Sequence, residues 1–150
     1  FLIFNLRCDE ERCSLVFMGD AGSMFLGFVL SWFLISLSQG EDRAMAPVTA
    51  LWLFAVPLKE TLTMMIRRIR QGRSPFSADR QHLHHMMELA GFSNHMSLVI
   101  IVSASMIFAG LGLLGHFMQI AEPVMFYSFL IIFAVYVVLI RRFWGVLRKR

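Results

Sequence analysis

The sequence predicts an all-α fold: a polytopic transmembrane helical bundle of about four spans, part of a larger bundle. Three observations predict it. Of 150 residues, 57% are hydrophobic and only 16% charged, whereas in soluble domains about a quarter of residues are charged. Four apolar runs approach the roughly 20 residues a helix needs to cross the hydrocarbon core. The basic residues cluster on alternate loops between those runs. An open sheet cannot satisfy its backbone in lipid, so each run is read as helix.

The chain opens on an apolar run, Phe1-Leu2-Ile3-Phe4, with no basic stretch before it. That excludes a signal peptide and reads as the tail of a membrane helix, so a longer protein is expected. Cys8 and Cys13 follow in a charged segment. Their separation fits neither zinc nor redox spacing, which leaves them as unpaired thiols.

The first predicted span runs from about Gly22 to Leu37 and the second from about Pro47 to Ile66. The second carries Lys59 and Glu60. Charges inside a span are costly and normally face a protein interior or a wet cavity. A lysine near a helix end can instead snorkel to the headgroups, and the sequence leaves both readings open. The third span runs from about Met96 to Gly115 and the fourth from about Val124 to Ile140.

Orientation follows from the loops. Arg7 and Arg12 precede the first span; Arg67, Arg68, Arg70, Arg73 and Arg80 lie between the second and third; Arg141, Arg142, Arg148, Lys149 and Arg150 follow the fourth. Arg43 is the one Lys or Arg between the first and second spans, and no Lys or Arg lies between the third and fourth, where His116 and Glu122 sit. The positive-inside rule then puts Asp20, the 67–95 loop and the C-terminus on the cytoplasmic face. The terminal cluster reads as an anchor to anionic headgroups, and no nucleic-acid partner is expected.

The 67–95 segment is the one polar stretch of useful length. Ser74-Pro75 marks a turn and Asp79 is a plausible N-cap. Leu83, Met86, Met87 and Ala90 then recur at the spacing of an amphipathic helix, and Gly91 fits its C′ position. On such a helix His82 and His85 lie about 60° apart but His82 and His84 about 160° apart, so the three cannot aim at one point. Cysteine or carboxylate company for zinc is missing. Arg73 and Arg80 offer forked donors for phosphate oxygens, and imidazoles add donors and a proton relay. Anion binding accounts for these residues better than a basic loop on headgroups, which explains the arginines but not the histidines.

The second unusual stretch is Phe17-Met18-Gly19-Asp20-Ala21-Gly22-Ser23. Glycines let a backbone approach a ligand, and a helix N-terminus presents N–H groups to an anion. Asp20 there could hold magnesium against substrate phosphates. Taken on chemistry alone, it reads more readily as the N-cap of the first span.

Together these stretches resemble the signatures of the polyprenyl-phosphate N-acetylhexosamine-1-phosphate transferases. The matching residues are Phe17–Ser23 with Leu26-Gly27-Phe28, and Arg73-Ser74-Pro75-Phe76-Ser77 with Asp79-Arg80-Gln81-His82-Leu83-His84-His85. Pro47–Trp52 and Gly91-Phe92-Ser93 also look like this family. The resemblance implies one membrane-embedded transferase domain, of which residues 1–150 form the C-terminal part. It implies transfer of GlcNAc-1-phosphate, or a related N-acetylhexosamine-1-phosphate, from the UDP-sugar to undecaprenyl phosphate at the cytoplasmic face of the bacterial inner membrane. UMP is released, and cell-surface glycan synthesis, O-antigen included, begins.

It implies magnesium, or manganese in its place, on Asp20. Asp20, His84 and His85 would be catalytic; Gly19, Ser23, Arg73, Arg80, His82, His84 and His85 would bind substrate. A homodimer is compatible with it. The family's aspartate-rich and Asn/Asp-Gly motifs are absent, so this polypeptide by itself is expected to be inactive. Where the family has Asp after Pro-Leu-x, this chain reads Pro57-Leu58-Lys59-Glu60. A non-catalytic scaffold or a transporter subunit are the rival readings. The topology is open to direct test. Asp20→Cys and His84→Cys should label from the same membrane face, and labelling from opposite faces rules out a shared site.

Overall fold

The computed structural model describes residues 18–75, 87 and 91–147. Among them all regular structure is helical. Five helices follow in order: α1 (Gly19–Ser38), α2 (Pro47–Leu53), α3 (Ala55–Arg70), α4 (Asn94–Phe117) and α5 (Glu122–Leu147). Among the described residues three stretches are long and apolar enough to cross a membrane: α1, α4 and residues Glu122–Arg142 of α5. The α2–α3 pair makes a fourth if it counts as one span. The chain is a multi-pass membrane protein.

The chain divides into two units, residues up to Ala44 and residues from Met45 onward. In the first, α1 exposes Met24, Phe25, Phe28, Trp32 and Phe33, side chains suited to lipid or to membrane neighbours. Phe28 and Trp32, one turn apart, hold their rings 6.4 Å apart. The helix closes with the Gln39 N–H donating to the Ile35 carbonyl at 3.1 Å.

In the second unit Pro47 opens α2, where its missing N–H costs nothing. Ala46 before it is extended, the conformation a following proline imposes. The expected continuous span from Pro47 to Ile66 is not found. α2 and α3 meet at Phe54 with a bend of 81°. Pro57 supplies the reason. It has no N–H for the Leu53 carbonyl, and its ring would clash there in a continuous helix. Restarting at Ala55 puts Pro57 in the first turn of α3, where no donor is needed.

The core forms around α2. Val48, Trp52, Ala55, Met125 and Phe129 are buried together, with Leu58, Phe108 and Ile132 against them. The Trp52 indole stands 6.1 Å from the Phe108 ring on α4 and 5.8 Å, edge-on, from Phe129 on α5. Its Nε1–H donates to the Met125 carbonyl at 3.2 Å, satisfying the one polar atom an indole buries. Gly112 lets α4 approach: a Cβ there would lie 2.5 Å from the Trp52 Cβ. Small residues permit such close helix contacts inside membranes.

The ends of α3 and α4 have identifiable stops, as does the turn at Gly91. At the end of α3 the Arg73 N–H bonds the Arg68 carbonyl at 2.9 Å and the Gly72 N–H bonds the Ile69 carbonyl at 3.0 Å, with Gly72 at φ +69°. That is a Schellman turn. Gly91, at φ +88°, occupies the same place after Met87, whose carbonyl accepts from the Phe92 N–H at 3.0 Å. Gly91 is the predicted terminator. Ser93 Oγ accepts from the Met96 N–H at 3.3 Å and caps α4. Beyond α4 the pattern recurs with Gln119 at φ +53° in glycine's usual position.

Two glycines on α4 should behave oppositely. Gly112→Ala should lower stability by about 1–3 kcal/mol through overpacking on Trp52. Gly110→Ala meets open space and should be neutral or stabilising by up to ~1 kcal/mol. Thermal unfolding in detergent measures both.

Candidate functional site

In the first unit, Gly19 starts α1 with φ +69°, a backbone state that favours glycine. Asp20 is not the N-cap that its chemistry suggested. The cap position falls on Met18, which is helical and makes no side-chain capping bond. Asp20 lies within the first turn with its side chain exposed. The physical reason is that the helix begins three residues before the predicted start, so the carboxylate enters the helix rather than preceding it. A negative charge there still interacts favourably with the helix dipole. Ser23 Oγ–H donates to the Asp20 carbonyl at 3.0 Å, so Gly19, Asp20 and Ser23 share one turn.

Among the described residues no three His, Cys, Asp or Glu side chains are grouped to hold a metal. Asp20 offers one carboxylate, carried in the first turn of α1. That fits magnesium, which is commonly held by one or two carboxylates with waters and substrate phosphates.

In the second unit the arginine end of α3 is built by the Gly72 turn. Arg67, Arg68 and Arg70 occupy the last helical turn, where cations offset the C-terminal dipole. The Arg68 Nη1–H donates to the Pro75 carbonyl and holds Arg73-Ser74-Pro75 back against the helix. Arg73 itself is exposed. Arg68 was absent from the candidates drawn from sequence. Its neighbours announce a helix end, but nothing in the run of arginines tells which one turns back. Arg80, His82, His84, His85 and the two cysteines lie outside the described residues, as does most of the predicted amphipathic helix.

The structure decides between the two readings of Lys59. It does not snorkel. It is 3% exposed, and its ammonium stands 3.2 Å from the centroid of the Phe108 ring. Glu60 is half-buried.

The family model for glycosyl transferase family 4 matches residues 1–38. Full-chain relatives carry the name undecaprenyl-phosphate alpha-N-acetylglucosaminyl 1-phosphate transferase. The Salmonella typhi protein is 45% identical over 149 residues, covering 99% of this chain and 40% of its own length. The Yersinia pestis protein is also 45% identical with the same coverage. The Pasteurella multocida protein is 44% identical over 148 residues, 42% of its length. The chain thus spans about two-fifths of the relatives it matches. No solved structure matches it significantly.

If Arg68 restrains the loop, Arg68→Ala should speed limited trypsin cleavage after Arg73. An increase of about tenfold is expected, the population change from losing one charge-assisted hydrogen bond. Cleavage at the parental rate shows that the loop is held by other contacts.

Proposed function

We propose that the protein is a member of glycosyl transferase family 4, whose model matches residues 1–38, and that it transfers GlcNAc-1-phosphate from its UDP-sugar to undecaprenyl phosphate. The observation that carries this reading is identity of about 45% sustained along 99% of the chain with transferases of that name. The acceptor's phosphate oxygen attacks the β-phosphorus of the donor. The bond to the α-phosphate oxygen breaks, and UMP leaves.

Such a reaction asks a protein mainly for positioning and for cations around the transferring group. Arg73 is exposed beside the arginine-rich end of α3, free to reach a diphosphate with forked donors. By the resemblance of the motif, Arg80, His82, His84 and His85 would bind the rest of the donor's diphosphate, and His84 and His85 would hold or move a proton. Gly19 and Ser23 shape the turn that carries Asp20. Asp20 would hold magnesium, which would supply charge neutralisation at the phosphates.

This places the 67–95 loop and the start of α1 on the cytoplasmic face of the inner membrane. That orientation agrees with the arginine-rich loops. It also places the donor, a soluble nucleotide sugar, and the acceptor, a lipid, at one interface.

The roles are separable in the full-length protein. Asp20→Asn should cut magnesium-dependent UMP release by roughly a hundredfold or more with membrane insertion intact. His84→Ala and His85→Ala should weaken use of the nucleotide sugar without loss of insertion. Normal turnover in Asp20→Asn removes it from the metal site, and unchanged kinetics in both histidine variants returns them to the surface.

A further inference from the structure

α3 carries the chain from the bend at Phe54 to the arginine end. Its inward stripe is Ala55, Lys59 and Thr63, four residues apart and all buried. Ala55 belongs to the apolar core around Trp52. One turn further on, the contact with α4 and α5 is of a different kind. The Lys59 ammonium faces the Phe108 ring on α4 at 3.2 Å and the Tyr136 ring on α5 at 5.6 Å. A ring face attracts a cation, and more strongly where water is excluded. A buried charge is costly without such company. Lys59 is therefore a point where one side chain of α3 engages both neighbouring helices. The chain beyond it leads through Arg67, Arg68 and Arg70 to the Gly72 turn and Arg73.

We propose that Lys59 is a positioning residue for the transfer reaction. Its ammonium, seated between Phe108 and Tyr136, fixes the direction α3 takes after the bend and hence the place where Arg73 meets the donor's diphosphate. This rests on the activity proposed above. The cation, rather than the length of the side chain, is what the two rings hold. A methionine of similar reach keeps the packing and loses the clamp, and an arginine keeps the charge.

The test compares Lys59→Met, Lys59→Arg, Phe108→Leu and the Lys59→Met/Phe108→Leu double variant in the full-length protein. Steady-state kinetics with the UDP-sugar and thermal unfolding are measured on each. Lys59→Met should raise the donor KM about fivefold, the factor a cation–π contact of this kind supports, with kcat unchanged. Lys59→Arg should restore most of that loss. The double variant should be little worse than Lys59→Met, because the same contact is lost once. An unchanged KM in Lys59→Met overturns the proposal, as does full additivity in the double variant. If the unsubstituted protein shows no transfer, the activity reading has failed. The unfolding midpoints then still decide the clamp: non-additive shifts uphold it and additive shifts overturn it.

Discussion

Pro57 cannot donate to Leu53, and the arrangement of the second unit turns on that missing hydrogen bond. In lipid an unsatisfied backbone carbonyl is expensive, so a helix broken there has to be surrounded by protein. The surroundings are present. Thr49 and Ala55, on either side of the break, are 1% exposed, and Trp52 fills the space between α4 and α5. Gly112 on α4 makes room for it. The bend and the core are thus one solution: α2 serves as the wedge, and α3 is redirected toward its arginine end.

That redirection separates two kinds of positive charge. Lys59 lies deep and against aromatic faces. The arginines stand at the helix end, where the macrodipole and water both favour them. A single helix so carries an interior cation that meets its neighbours and terminal cations that can meet a solute. The contrast follows the chemistry of the groups: a compact ammonium suits a ring face, and a planar guanidinium suits phosphate or a carbonyl.

Much of this was legible in the residues. The long apolar runs identified α1, α4 and α5 because lipid asks only for length and hydropathy. Gly91 predicted a left-handed stop, and the same signal stands at Gly72. The bend was not expected. Apolar spacing continues straight through Phe54, and the rule that finds the break concerns one missing proton on Pro57. The Asp20 assignment missed by the usual margin of helix ends: a start three residues earlier turns a cap into a first-turn residue. The burial of Lys59 is a tertiary fact, decided by Phe108 and Tyr136 from helices far along the chain. The roles proposed for Asp20 and the histidines come from likeness to a family, since such chemistry depends on partners that no local pattern supplies.

The turn between α4 and α5 has its own consequence. The Ile120 N–H bonds the Gly115 carbonyl at 3.0 Å and the Gln119 N–H bonds the His116 carbonyl at 3.1 Å. The Gln119 amide returns to that second carbonyl at 3.0 Å. The linker itself thus ties off carbonyls at the end of α4, so the exposed joint at 118–121 meets its surroundings with those helix-end acceptors already paired.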